Sequence, residues 1–461
     1  MLAQIINLLA LSIPLILLPI LLGTGITKHR LDLSTRWWLG FLLISLALII
    51  FHALSIPPTV YSLLIIMIIL VLLFWQREML VLELLKTSKI LTNPISWVWV
   101  IIALFIIVVG LVEIKTYPVI SGDALSIWLN KAKSIYAGKS FWTLAIVQYP
   151  SLGPIFWTFA MRFTGGYEPI YGLYLGPIAY SFWILAHLSL FEQKNNWVIV
   201  AIIFSTAILF YDSTVYNGYQ DKLVMMCAGM AVLTYVRYFL YSIDSSGWNF
   251  HNGRFDLFWL GTFLAGMLSF IKTEGAIMGL IIFSSTLFVV ACSYPKGKRY
   301  EFFKTNYPPI IFFLALLSTW PLILYFGNVD LSKIQGDNFS LQSGFDFFKN
   351  LDRLPIIALR HLEYYHGIFP ALTISILLTL LAFRSLPKIR IILSYVWLIW
   401  LAHLVFITLI FLVTRAPLIW HLDTAFNRLS SQHDFVYPLI ISLIISCLLR
   451  KDHVPFIENS P

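Results

Sequence analysis

The sequence predicts an all-α integral membrane protein, a polytopic bundle of about 13 transmembrane helices with interfacial helices in its first long outer loop. Of the 461 residues, 59% are hydrophobic and only 11% are charged, whereas soluble domains average about 25% charged residues. The mean hydropathy is +0.84. Apolar windows of about 20 residues, the length of a spanning helix, recur along the chain. No polar segment is long enough to build a large soluble domain.

Thirteen apolar windows follow one another, and each predicts one spanning helix. They cover residues 2–22, 36–54, 57–75, 95–113, 168–191, 197–211, 221–242, 257–271, 275–292, 308–326, 367–383, 391–413 and 435–449. The stretch 150–164 has two prolines near its start and is rich in aromatic residues, so it predicts a helix in or dipping into the membrane interface. The first window lacks the basic segment and cleavage site of a signal peptide, so we expect it to be a span.

The distribution of Lys and Arg predicts the orientation of these spans. With the N-terminus outside, the inner connections hold 18 of the 31 cationic residues and 9 of the 22 acidic ones, and the outer connections hold 13 of each. The net charge of +9 is then an orientation signal, and no nucleic-acid partner is expected. The longest connections, 114–167, 327–366 and 414–434, fall outside. We therefore expect a multi-pass plasma (inner) membrane protein with a cytoplasmic C-terminus and an extracytoplasmic site.

Two of the outer connections carry carboxylates. Asp123 precedes an amphipathic segment, 124–136, where it can act as a general base on an acceptor hydroxyl or cap the helix. The connection between the sixth and seventh spans holds Asp212, Tyr219 and Asp221. Aromatic and acidic groups in one loop can bind a sugar or a cation. The same residues are also compatible with a solvated turn in which Asp221 caps the next span.

Two further outer connections carry cationic side chains. Lys272 and Glu274 lie in a tight hairpin, where charges so near the apolar layer tend to have a partner or a ligand. Lys272 can bind a phosphate, or it can extend to the interface beside a helix N-terminal Glu274. The last outer connection holds His421, Arg428 and His433, which can clamp a phosphate. A polar interfacial loop explains the same residues, and their spacing matches no specific metal motif.

The predicted spans themselves are nearly free of charge. A cation- or proton-coupled transporter usually carries ionisable residues or broken helices near the middle of the membrane. Here the polar residues gather at one end of the spans. This arrangement favours an enzyme that takes one substrate from the lipid leaflet and another from outside.

The order of these motifs resembles the GT-C superfamily of glycosyltransferases that use polyprenyl-phosphate sugars, such as protein O-mannosyltransferases and aminoarabinose transferases. The resemblance begins with Gly-Asp123-Ala-x-x-x-Trp-x-x-Lys131-Ala-Lys, followed by Tyr149-Pro-Ser-Leu. Three further segments are similar to later landmarks: Tyr219-Gln-Asp, Lys272-Thr-Glu-Gly and the terminal His421-Leu-x-Thr-x-x-x-Arg428-Leu. The resemblance covers residues 95–450. It implies N-terminal extra helices over 1–94 and a short cytoplasmic tail over 451–461.

The resemblance implies inverting transfer of a sugar to a glycan, lipid or protein acceptor. Asp123 matches the catalytic carboxylate, and Asp221, or less closely Asp212, matches a second acidic position. Lys272 and Arg428 match cations near the lipid-linked phosphate. The further expected substrate-binding residues are Lys131, Tyr149, Asp212, Tyr219, Glu274, His421 and His433. The implied cofactor is the lipid-linked donor itself, and some members also need a divalent metal.

Two alternatives explain the same sequence. A lipid-linked glycan ligase or polymerase would depend on Arg415, Arg428, His421 and His433 and would tolerate loss of Asp123. A lipid or sugar transporter would show uptake without any product formed from a lipid-linked sugar.

Overall fold

Helices make up nearly all of the regular structure. The computed structural model describes residues 2–27, 31–75, 77, 94–116, 124–144, 149–166, 168–191, 197–215, 217–218, 220–244, 247–248, 254–293, 300, 304, 307–329 and 347–449. In chain order the α-helices are α1 (Leu2–Ser12), α2 (Leu18–Thr27), α3 (Leu33–Ala53), α4 (Pro58–Trp75), α5 (Pro94–Thr116), α6 (Asn130–Tyr136), α7 (Leu152–Met161), α8 (Pro169–Leu173), α9 (Leu175–Ala186), α10 (Trp197–Leu209), α11 (Asp221–Ser242), α12 (Phe255–Ile271), α13 (Thr273–Ser293), α14 (Tyr307–Phe326), α15 (Leu354–Gly367), α16 (Phe369–Ser385), α17 (Arg390–Val413), α18 (Leu418–Ser431) and α19 (Val436–Leu448).

Short elements complete this order. A π-helical turn, Ile13–Leu17, joins α1 to α2, and a second one, Ala124–Leu129, leads into α6. The helix predicted over 124–136 is therefore present. In the described part of the chain, the only strands are Ile243–Asp244 and Gly247–Trp248, which pair antiparallel.

The multi-pass membrane architecture predicted from the composition is confirmed. Among the described residues, ten helices are long and apolar enough to cross a membrane. They are Leu9–Thr27, Leu33–Ala53, Pro58–Trp75, Trp97–Thr116, Ile170–Leu190, Asp221–Ser242, Thr273–Ser293, Tyr307–Phe326, Arg390–Val413 and Leu418–Leu448. The last of these contains both α18 and α19, so much of the predicted loop 414–434 is helical.

The other three predicted spans form helices that are either short or part of a bent pair. The windows 197–211 and 257–271 form α10 and α12, which have only 13 and 17 residues. The window 367–383 forms α16, which meets the helical segment Phe348–Gly367 at an angle of 85°. The total of 13 spans stays a prediction.

The chain divides into two compact units. Unit 1 comprises Met1–Met230 and Phe270–Thr273, and unit 2 comprises Ala231–Ser269 and Glu274–Pro461. Helix α11 therefore contributes its first part to unit 1 and the remainder to unit 2. Residues on both sides of the predicted boundary at 94/95 belong to unit 1.

In unit 1, helices α2 and α3 pack closely against each other at glycine residues. A side chain on Gly23 of α2 or on Gly40 of α3 would clash with the backbone of the other helix, the type of contact that lets membrane helices pack closely. Trp37 of α3 stacks on Phe182 of α9, with ring centroids 4.8 Å apart. The predicted interfacial stretch 150–164 contains α7, which is only about 15 Å long. All ten residues of α7 are buried, because its sequence is apolar on every side.

Unit 2 contains a similar helix hairpin. Gly275 and Gly279 of α13 lie against the backbone of α12, and a Cβ at either glycine would clash there. Helices α15, α17 and α18 share an apolar cluster. Its fully buried members are Ile357, Ile407, Phe411, Leu412, Leu422, Phe426 and Leu429.

Candidate functional site

A buried ion pair in unit 1 joins two of the predicted site residues. Asp221 is the first residue of α11, and Lys272 is the single non-helical residue between α12 and α13. The Lys272 Nζ donates to Asp221 Oδ1 at 2.8 Å, and the two side chains are exposed by 9% and 2%. A carboxylate in the first turn of a helix is also stabilised by the helix dipole. The pair places the connection before α11 and the α12–α13 junction at the same end of these helices.

A second ion pair lies next to the first along α11. Lys222 Nζ is 2.9 Å from Asp212 Oδ2. The other carboxylate oxygen of Asp212 accepts the backbone N–H of Thr214 at 2.8 Å and also its hydroxyl. Gly218 follows with φ +88°, a left-handed conformation that glycine adopts without strain. Asp212 and Asp221, which flank this connection, therefore both face lysines.

The segment that leads into α6 reaches this connection through Ala124. A Cβ placed on Gly218 would lie 3.1 Å from the Cβ of Ala124 and 3.0 Å from Leu173. Asp123, the predicted catalytic carboxylate, lies outside the described residues, and Ala124 is its immediate neighbour in the chain. Tyr219 also lies outside the described residues.

Lys131 ties α6 to the segment before α7. Its Nζ donates to the Tyr149 carbonyl oxygen and to the Ser151 hydroxyl oxygen, the latter at 3.4 Å. The same ammonium lies 5.8 Å from the Trp128 ring centroid. Burial lowers the pKa of Lys131 to about 7, because removing an ammonium from water disfavours its charged form. Two residues predicted to bind substrate, Lys131 and Tyr149, are thus in direct contact with each other.

Helix α7 completes the contact between the two loops. Gly153 lies so close to the Gln220 side-chain amide that a Cβ there would clash with it. The side chains of Gln220 and Lys222 also line a cavity of about 20 Å³, together with Trp157 and Gly218. That volume holds about one water molecule and excludes a sugar ring.

The remaining predicted site residues lie in unit 2. Glu274 is in the first turn of α13. On α18, His421 Nδ1 is 2.9 Å from the Thr414 hydroxyl, and the half-buried Arg428 donates from Nε to the Thr424 carbonyl at 3.0 Å. His421 and Arg428 are two turns apart on one face of that helix.

His433 occupies a different environment from the one predicted for a phosphate clamp. It is fully buried, with Nδ1 3.0 Å from His403 Nδ1 and Nε2 3.0 Å from the Tyr365 hydroxyl. Its neighbour Asp434 accepts hydrogen bonds from Tyr364. Both nitrogens of His433 are therefore engaged within unit 2.

Sequence reasoning missed Lys222, His403 and the tyrosine partners of His433 and Asp434. Lys222 carried a usable signal, because a lysine in the first turn of an apolar helix needs a counter-charge. His403 carried none, because a single histidine inside an apolar window does not reveal which side chain it faces.

The described acids do not assemble a metal site. Among the residues that the structure describes, no group of three His, Cys, Asp or Glu side chains could hold a metal ion. Asp212 and Asp221 each bind a lysine instead.

No protein-family model, curated protein or solved structure matches this chain.

Proposed function

We propose that this protein is a membrane glycosyltransferase of the GT-C type, which moves a sugar from a polyprenyl-phosphate donor to an acceptor at the extracytoplasmic face. Asp123 takes the proton of the acceptor hydroxyl. The acceptor oxygen then attacks the anomeric carbon from the face opposite the phosphate, and the bond between that carbon and the phosphate oxygen breaks. The sugar configuration inverts, and polyprenyl phosphate leaves.

One observation carries the proposal: three separate segments meet in unit 1. Ala124, which follows Asp123, lies against Gly218. The Gly218 loop leads into Asp221, which pairs with Lys272. The sequence resemblance assigns chemistry to all three segments, although they are about 50 to 150 residues apart in the chain. Their proximity supports a common site.

The charges at this point suit phosphate departure. The leaving phosphate gains negative charge in the transition state, and preplaced ammonium groups stabilise that charge without reorganising. Lys272 and Lys222 supply two such groups, both buried, where electrostatic interactions are stronger than in water. Asp221 fixes the position of Lys272 before the substrate arrives.

The proposal includes the orientation. With 13 spans and the N-terminus outside, the connection 212–220 and the junction at Lys272 both face the extracytoplasmic side. The Asp221–Lys272 contact supports placing both connections on the same side of the membrane, and the distribution of Lys and Arg indicates which side that is.

The test is turnover of radiolabelled polyprenyl-phosphate sugars by the purified full-length protein and its Asp123→Asn variant. We expect the variant to fold like the wild type and to lose sugar transfer. The exposed Asp256, which pairs with Arg254, provides a matched control: Asp256→Asn should retain transfer. Normal turnover by Asp123→Asn would refute the base assignment.

The same assay separates the alternatives. A ligase or polymerase would keep activity in Asp123→Asn and lose it in Arg428→Ala. A transporter would take up labelled substrate into vesicles without forming a glycosylated product.

A further inference from the structure

The two ion pairs of unit 1 differ in how accessible their carboxylates are. In the Asp221–Lys272 pair both side chains are buried. In the Asp212–Lys222 pair the lysine side chain is exposed by only 2%, whereas that of the aspartate is exposed by 49%. The buried Lys222 ammonium is therefore covered by a carboxylate that is itself open to solvent.

Most bonds that hold Asp212 come from its own loop. Apart from Lys222, its carboxylate bonds to the backbone and hydroxyl of Thr214, within the short turn Ser213–Val215. Lys222 belongs to the first turn of α11. Separating the pair thus requires movement of one short turn, whereas α11 keeps its place.

The surroundings of Lys222 favour a negatively charged partner. Apolar side chains, among them Trp157, Leu173 and Met226, line the adjacent cavity. A buried ammonium is costly without a counter-charge. The cavity has space for about one water molecule, so a phosphate cannot reach the Lys222 Nζ through it. The solvent-exposed Asp212 carboxylate occupies a position on this ammonium that a phosphate oxygen can take in its place.

We propose that Lys222 binds the phosphate of the lipid-linked donor and that Asp212 competes with this phosphate for the Lys222 ammonium. The identity of the ligand rests on the proposed function. The competition adds a regulatory element to that function, because a carboxylate of the protein itself then controls the access of phosphate to the site. Lys272 keeps its buried partner Asp221 and contributes positive charge near the phosphate.

The experiment measures binding to the full-length protein in detergent by calorimetry. The probes are farnesyl phosphate and inorganic phosphate, and farnesol serves as the uncharged control ligand. Asp212→Asn should tighten farnesyl phosphate binding by about tenfold, because it removes the competing charge, and Lys222→Met should weaken binding by about tenfold. Glu168→Gln removes another exposed carboxylate of unit 1 and should leave affinity unchanged.

Two variants keep the test decisive if Asp212→Asn fails to fold. Thr214→Val retains both charges and loosens Asp212, so it should tighten binding several-fold. Asp212→Asn combined with Lys222→Met leaves neither charge of the pair, and it should bind farnesyl phosphate as weakly as Lys222→Met alone. Tightening for both phosphates identifies the phosphate group alone as the ligand, and tightening only for farnesyl phosphate identifies a lipid-linked phosphate.

Two results would overturn the assignment: unchanged affinity in a folded Asp212→Asn protein, or wild-type affinity in Lys222→Met. Failure of the proposed function gives a different pattern. Phosphate binding with the expected order of variants, but without sugar turnover, would keep the Lys222 assignment and refute transfer. Sugar turnover with unchanged kinetics in Lys222→Met would keep the proposed transfer and refute the Lys222 assignment.

Discussion

Lys272→Met removes the cation from the buried pair with Asp221. At 2.8 Å and an effective dielectric constant of about 20, the Coulomb attraction between unit charges is about 6 kcal/mol. Desolvation of both groups offsets much of this attraction, and loss of one partner from a buried pair costs about 3–5 kcal/mol. We expect Lys272→Met to lower the free energy of unfolding by that amount.

The double variant Asp221→Asn/Lys272→Met should be more stable than Lys272→Met, because it no longer buries a carboxylate beside an apolar side chain. Asp221→Asn completes the double-mutant cycle, and reversible unfolding in mixed micelles with increasing SDS measures all four free energies of unfolding. The exposed pair Arg254–Asp256 serves as the control, and its coupling should stay within about 1 kcal/mol. If the Asp221–Lys272 coupling were equally small, the buried ion pair would not be part of the folded protein.

Three further outcomes follow from local geometry. Burial lowers the pKa of Lys131 from 10.5 to about 7. Between these pH values the folded state binds fewer protons than the unfolded state, so the stability of the protein rises with pH. Lys131→Met should therefore flatten the rise in melting temperature from pH 7 to 9. Gly23→Ala should lower the melting temperature because its Cβ would clash with the Arg36 backbone of α3, whereas Gly166→Ala should not, since a Cβ there meets nothing within 4 Å. The 85° bend between α15 and α16 predicts that spin labels at Leu359 and Leu362 of α15 lie at equal membrane depth. Along α16, the depth should change by about 1.5 Å per residue. Unequal depths on α15 would contradict the bend.

Hydropathy predicted the membrane architecture well because spanning helices must be apolar over their whole length. It did not reveal α15 and α18. Both contain charged residues that point away from the apolar cluster they share, so window averages scored these segments as polar loops. Their amphipathic character becomes informative only when a neighbouring helix is known.

The candidate site was predictable in its parts and not in its contacts. Asp221 and Lys272 were both singled out, but no sequence rule links an aspartate to a lysine 51 residues away. Lys222 was missed, although it shares the first turn of α11 with Asp221. His433 was assigned to a clamp because it follows Arg428 closely in the chain, whereas its side chain packs against His403 of another helix.

The most direct measurement is mass spectrometry of lipids that co-purify with the protein, combined with turnover of the identified lipid. If the protein is the proposed transferase, a polyprenyl phosphate or its sugar conjugate should co-purify. The added polyprenyl-phosphate sugar should then lose its sugar to an acceptor with inversion at the anomeric carbon. A purified, folded protein that binds no prenyl phosphate and transfers no sugar from any such donor would contradict the proposed function.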